Sequence, residues 1–360
     1  MKYLEEYRDP EAARRLAARI RADSRRPVRL MEVCGTHTVG IFRHGIRNLL
    51  PETVTLISGP GCPVCVTSTT EIDQAISLAG QGCTVATFGD LMRVPGSRGT
   101  SLSLRKAEGA DVRVVYSAFE ALKLALAAPS RPVVLLAVGF ETTAPTVAAT
   151  LKEARRLGVK NFSIFCAHKT VPPALEALLR PGDLKIDGFI CPGHVTSIIG
   201  IDPYRPLAAA HGTPCVVAGF EPVDILQTVL RLVQLIEAGR PEVEVQYRRG
   251  VAPQGNPRAL ATMWEVFEAV EARWRGLGSI PGSGLAPRAD YRAFDAAARY
   301  DLSVPEATEP KGCACGDVLR GIITPPQCPL FGRRCDPRNP VGPCMVSSEG
   351  TCAAYYNYAD

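Results

Sequence analysis

The chain reads as α/β: two domains with parallel sheets covered by helices face a central cleft, and a C-terminal helical and loop-rich domain follows. Three observations predict this. From Pro27 to about Phe220, short apolar, β-branched runs alternate with turn residues and helical patterns, as parallel sheets covered by helices require. The runs are continuously apolar, as in strands buried on both faces. After about Val304 the texture changes, with Gly, Pro and Cys dominating and periodicity gone.

Taken in order, strands are expected over Val28–Val33, Val54–Ile57, Thr84–Phe88, Val112–Tyr116, Val133–Val138, Phe162–Phe165, Gly188–Ile190 and Cys215–Val217. Helical stretches between them include Thr70–Leu78, Ala118–Leu126, Pro145–Leu157 and Pro173–Leu179. Eight strands exceed one small domain, and 360 residues make two or three domains the prior. The segment 127–132, Ala-Ala-Pro-Ser-Arg-Pro, reads as a hinge after the fourth strand. The expected division is therefore 1–128, 129–221 and 222–360. A weak echo, Val138-Gly139-Phe140-Glu141 against Ala218-Gly219-Phe220-Glu221, lies within the second half and does not prove a duplication. Helical patterns continue from Pro222 to Ala238 and from Pro257 to Leu277, with apolar residues such as Leu226, Val229, Leu230 and Val233 three and four apart. Gly278–Arg288, rich in Gly, Pro and Ser, reads as a connection.

Hydrophobic content of 46% and charged content of 21% describe a globular protein. The net charge of +5 is spread along the chain and aromatics are only 6%, so no nucleic-acid footprint is expected. The charged N-terminus has no apolar signal core, and no stretch reaches the roughly 18 apolar residues of a membrane span. A cytoplasmic chain is expected. Thirteen cysteines, an odd count in a large chain, do not form a secreted disulfide framework. They are core residues, metal ligands or redox thiols, and their spacing has to decide.

Ligands of open α/β sheets bind beyond the carboxyl ends of the strands. Here those ends run into Cys34-Gly35-Thr36-His37, Gly59-Pro60-Gly61-Cys62-Pro63-Val64-Cys65, Gly89-Asp90, Gly139-Phe140-Glu141-Thr142-Thr143, Cys166-Ala167-His168-Lys169 and Cys191-Pro192-Gly193-His194. Any one of these could be only a turn; several on one edge predict a cleft lined by Cys, His, Glu and Thr. Cys34 at a helix start suits a soft-metal ligand or a nucleophile, with His37 a second ligand or supporting group. The bland reading is a buried cysteine with a capping threonine. Cys62 and Cys65 form a C-x-x-C pair, and no second such pair completes a zinc site. They fit a dithiol that cycles with its disulfide, or a donor to iron. Glu141, Thr142 and Thr143 either orient a ligand or cap the following helix. His168 and His194 are more often hydrogen-bonded than catalytic. Cys83, Cys166, Cys191 and Cys215 sit in or beside apolar runs and read as core.

Cys313, Cys315, Cys328, Cys335, Cys344 and Cys352 fall within forty residues of Gly- and Pro-rich loop. Irregular loops need a cross-link, and soft thiolates at this density select an iron–sulfur cluster or zinc. Four would hold a cubane; the spare two could form a redox disulfide fed by it. Spacing does not fix which four bind.

At these residues the sequence resembles the HypD family of hydrogenase maturation proteins. The matching stretches are Cys34–His37, Gly59–Cys65, Gly139–Thr143, Cys191–Val195, Cys315–Gly321, Cys328, the run to Cys335, and Gly342–Tyr356. The resemblance covers nearly the whole chain. It implies a part in building the Fe(CN)2CO unit of [NiFe]-hydrogenase, with a HypC-like small chaperone as partner and cyanide arriving from a HypE-like donor. Carried over, Cys34 would bind the iron, with His37 beside it, and Cys62 with Cys65 would be the redox pair of the cleft. A [4Fe–4S] cluster is implied on Cys313, Cys328, Cys335 and Cys352, with Cys315 and Cys344 as a disulfide. Exchange of Cys313 with Cys315 is the alternative. The cluster and two dithiols would relay reducing equivalents. The competing reading is a thiol–disulfide reductase like ferredoxin:thioredoxin reductase; a third is a zinc-stabilised interaction module. A nucleotide-driven enzyme is disfavoured, since neither G-x-x-x-x-G-K-[ST] nor G-x-G-x-x-G occurs.

Overall fold

A computed structural model of the chain describes residues 5–180, 185–305 and 307–359. Its strands are β1 (Val28–Glu32), β2 (Val54–Ser58), β3 (Thr84–Thr87), β4 (Val112–Val114), β5 (Val133–Ala137), β6 (Phe162–Cys166), β7 (Gly188–Pro192), β8 (Cys215–Ala218), β9 (Val243–Val245), β10 (Phe267–Trp274) and β11 (Gly278–Pro287). Two sheets are entirely parallel, in the orders β2-β1-β7-β8-β9 and β4-β3-β5-β6. All eight expected strands form, within a residue or two. β5 is buried at every position, because helices cover both faces. β9, short and half-exposed, adds an edge that its Val-Glu-Val did not announce.

The chain weaves between the sheets. It leaves the five-stranded sheet after β2, completes β3–β6, and returns with β7. The strands thus group as 28–58 with 188–245, and 84–166. The segment 127–132 lies inside the four-stranded sheet, since β4 before it and β5 after it both pair with β3. The echoed tetrapeptides follow β5 and β8, one on each sheet.

Helix Pro10–Asp23 starts at Asp9, whose side chain accepts from the Glu11 amide at 2.9 Å. It packs with helix Pro222–Glu237 over the five-stranded sheet, burying Ile20, Leu30, Ile41, Val229, Leu232 and Val233. A second core, with Leu122, Leu151 and Phe162, fills one face of the four-stranded sheet. A third runs from Met31 and Leu136 through Trp274 to Cys315 and Cys344. It joins the strand ends to the C-terminal loops.

One stretch departs from expectation. The helix from Pro257 stops at Val266, and residues 267–274 form β10, antiparallel to β11. The glycine-rich stretch read as a connection is thus a strand. Gly276 and Gly278, at φ +79° and +76°, make the reversal, and the aromatic ends Phe267 and Trp274 are fully buried. Burial of those rings overrides the helix propensity of Glu-Ala-Val-Glu-Ala. Beyond residue 307 only short helices form, such as Cys315–Leu319 and Thr351–Tyr358. Among the described residues no helix is long and apolar enough to cross a membrane.

Candidate functional site

The carboxyl ends of β1, β2, β5 and β7 open onto one cleft of about 430 Å³, lined among others by Cys34, Thr36, Thr142, Thr143, His194 and Glu349. Both sheets and the C-terminal segment contribute to it.

Cys34 caps helix Gly35–Arg43. Its loop is fastened to the loop after β2, because Gly35 N–H donates to the Gly61 carbonyl at 3.0 Å and Gly59 N–H to the Glu32 carbonyl at 2.8 Å. A side chain at Gly61 would collide with the Cys34 backbone. Glu32, fully buried, accepts from the Cys34 amide at 3.3 Å and from the Thr38 hydroxyl. Burial pushes its carboxyl up to about 7. Burial first and the Glu349 charge second push the Cys34 thiol up to about 12; the Thr36 and His37 amides act the other way but do not win. Cys34 is therefore a thiol until a cation displaces its proton, not the standing thiolate that a helix start alone suggests.

Glu349 also accepts from the Thr36 hydroxyl at 2.7 Å. Replacing it by glutamine removes a charge that opposes the thiolate. Glu349→Gln should speed iodoacetamide labelling of Cys34 in the metal-free chain by at least about threefold at pH 8, read by peptide mass spectrometry. An unchanged rate would mean Glu349 does not act on the thiol.

His37 is fully buried. Its Nε2–H donates to the Gly219 carbonyl at 2.9 Å, and its ring stacks on Phe220 at 4.9 Å. Burial lowers its pKa to about 4, so the ring is neutral. Among the described residues nothing pairs with Nδ1, which leaves one lone pair of the ligand type. His194 stacks on the same Phe220 at 3.9 Å and reaches the cleft wall.

Cys62 and Cys65 are joined as a disulfide, with Cα atoms 5.2 Å apart. Both are buried behind the cleft, and Cys65 Sγ lies 4.0 Å from the Pro343 carbonyl oxygen. Glu141 is a cap, but of a different helix from the one expected. Its Oε1 accepts from Val171 N–H at 2.9 Å, at the start of helix Val171–Leu179, while Thr142 and Thr143 take the cleft wall. Its Oε2 has no partner among the described residues.

Burial pushes the Glu141 carboxyl up to about 7, against roughly 4.3 unfolded. The folded state then holds the proton more tightly, and its stability falls as pH rises through that window. Glu141→Gln removes this loss. Relative to the parent it should gain stability on the order of 3 kcal/mol between pH 4.5 and 8, measured by denaturant midpoints. His37 and His168, lowered to about 4 and about 3, act oppositely below pH 6.5, but equally in both proteins. Parallel curves would mean that Glu141 is not protonated in the folded state at these pH values.

His168 Nε2 meets the Thr143 hydroxyl at 3.2 Å, and its Nδ1 lies 3.7 Å from half-buried Cys166. Lys169, buried, pairs with Glu71 at 2.5 Å, and Glu71 closes the capping box with Ser68. Cys83, Cys191 and Cys215 are buried in or beside the strands.

The six C-terminal cysteines line one narrow cavity with Val318, Leu330, Phe331 and Met345 and, among the described residues, no carboxylate. Cys315 and Cys344 approach to 2.9 Å. Hydrogen bonds from the Cys313 and Cys344 thiols hold Cys315 below the ordinary thiol value, and Arg275 assists. Cys335 accepts from Val341 N–H at 3.3 Å. Six soft donors in an apolar enclosure fit an iron–sulfur cluster plus a dithiol.

Sequence reasoning missed Glu32, Glu349 and Arg275. Only Glu32 left a trace, as a lone acid closing an apolar strand. A family model described as "HypD: Hydrogenase formation hypA family" matches residues 11–359. The chain is 51% identical over 367 residues to "Hydrogenase maturation factor HypD" of Azotobacter vinelandii, covering 99% of this chain and 97% of that protein. Proteins of the same name from Cupriavidus necator and Escherichia coli are 48% and 47% identical, with 97% and 98% of their lengths covered.

Proposed function

The chain belongs to the HypD family of hydrogenase maturation factors, and from that premise we propose that it is a cytoplasmic scaffold on which the Fe(CN)2CO unit of [NiFe]-hydrogenase is assembled, in complex with a HypC-like small chaperone. The cyanide comes from a HypE-like donor. The iron is cargo: Cys34 binds it from this chain, and His37, three residues on, is a neutral imidazole whose Nδ1 has no partner among the described residues.

The observation that carries the reading is the place of the Cys62–Cys65 pair. On one side its loop is bonded to the Cys34 loop through Gly61, and on the other Cys65 faces Pro343, next to Cys344. The Cys62–Cys65 disulfide thus lies between the Cys34 loop and the segment that carries Cys344. Cys313, Cys328, Cys335 and Cys352 would hold a [4Fe–4S] cluster, which supplies one-electron chemistry when bound. Cys315 and Cys344 are then the dithiol beside it. Thiolate and imidazole are suitable donors for a low-spin cyanide-bearing iron. Glu32 holds the Cys34 turn, and burial excludes water from the Cys62–Cys65 pair.

The reductase alternative requires a protein disulfide to reach that pair, and Cys62 and Cys65 are only 4% and 0% exposed. Turnover separates the two. The scaffold should reduce a protein disulfide such as insulin no faster than background, and should co-purify with the small chaperone and with iron beyond the cluster. Catalytic insulin reduction without extra iron would sink the scaffold reading.

A further inference from the structure

The β10–β11 turn lies against both the short helix that begins at Cys62 and the loop that carries Cys315. Arg275 N–H donates to the Val66 carbonyl at 2.9 Å, and its Nε to the Thr67 carbonyl at 3.2 Å. Both carbonyls close the short helix that begins at Cys62. Its Nη1 is paired with Glu309, on the segment leading to Cys313. The next residue, Gly276, packs on Gly316: a Cβ there would come 2.5 Å from the Gly316 Cα, beside Cys315. Two consecutive residues, Arg275 and Gly276, therefore tie the Cys62–Cys65 helix to the Cys313–Cys315 loop. The guanidinium is 2% exposed, and among the described residues its Nη2 has no acceptor. An unpaired donor on a buried cation is costly; structural duty alone accounts for Nε and Nη1 but not for Nη2.

We infer that Arg275 is the positioning residue of disulfide exchange between Cys62–Cys65 and Cys315/Cys344: it holds the two pairs in register and keeps a donor free for the sulfur anion formed between them. This rests on the relay in the proposed function. The exchange balances within the chain. Cys344, deprotonated, attacks Cys65 Sγ, the Cys62–Cys65 bond breaks, and Cys62 leaves as the thiolate that takes up the proton. Cys315 then attacks Cys344 Sγ, and Cys65 leaves and takes the second proton. Cys62–Cys65 gains two electrons and Cys315/Cys344 loses two. A neighbouring cation favours the anion formed at each step.

The test uses the full chain, purified anaerobically with its cluster. Dithiothreitol is added, and each pair is followed by acid-quenched alkylation and mass spectrometry. In the parent, the buried Cys62–Cys65 pair should be reduced through Cys344, so Cys344→Ser slows its reduction at least about tenfold. Arg275→Gln should slow it comparably while Cys315 and Cys344 react at the parent rate, and Arg275→Lys should recover part of the rate. If Cys344→Ser changes nothing, the relay itself is wrong. If Cys344→Ser slows the pair but Arg275→Gln does not, only the role of Arg275 falls. Should Arg275→Gln not fold, Glu309→Gln frees the guanidinium at a half-exposed partner; a severalfold slowing supports the role, and a parent rate overturns it.

Discussion

Cys34→Ala should yield a folded protein that keeps its cluster, holds no cargo iron, and restores hydrogenase activity in a deletion strain at least about a hundredfold less well than the parent. The fold should survive because the bonds that shape the turn are made by the backbone. Gly35 N–H to Gly61, and residue 34 N–H to Glu32, are both available to alanine. What disappears is, among the described residues, the one thiol on the cleft wall. His37 does not replace it, since its ring is fully buried, bonded to the Gly219 carbonyl and not part of the cleft lining. Iron per chain and cluster absorbance, measured on the same anaerobic sample, separate the two sites. If the cluster disappears with the cargo iron, the cleft and the C-terminal cavity are not independent centres.

Cys335→Ser should abolish the cluster and loosen the C-terminal loops. Among the described residues beyond 307 the helices are short, and the six cysteines of the cavity are packed among a few apolar side chains such as Val318, Leu330, Phe331 and Met345. On the proposed function such a segment would be held by its cluster, and ligand loss would cost folding free energy of several kcal/mol. The variant should lose about four irons per chain, and its C-terminal segment should be cut by protease far faster than the parent's, while Cys62–Cys65 still forms. A colourless parent protein containing zinc would contradict the assignment and favour the zinc-module reading.

The parallel sheets were legible because burial on both faces writes unbroken apolar runs such as Val-Val-Leu-Leu-Ala of β5. Their grouping was not. Strand order depends on pairings far apart in the chain, and nothing near residues 127–132 shows that β5 joins β3 rather than starting a new sheet. The β10–β11 hairpin was misread for a related reason: Glu, Ala and Arg favour a helix locally, and only the burial of Phe267 and Trp274 turns them into a strand. Among site residues, the cysteines and His37 stand out through spacing and a short motif. Glu349 and Arg275 do not, because a single carboxylate or guanidinium acquires meaning only from what it faces. Glu141 was read as either ligand-orienting or capping; it caps a helix some thirty residues away, which no local pattern encodes.

On the proposed function, the cleft carries the iron under assembly on Cys34. Infrared spectroscopy with iron quantification, on the anaerobic complex with the small chaperone made in the presence of the cyanide-donating partner, tests it most directly. CN and CO stretching bands and iron in excess of the cluster are expected, all lost in Cys34→Ala while cluster absorbance remains. Bands of unchanged intensity in Cys34→Ala, or a parent complex with cluster iron alone and no bands, would contradict it.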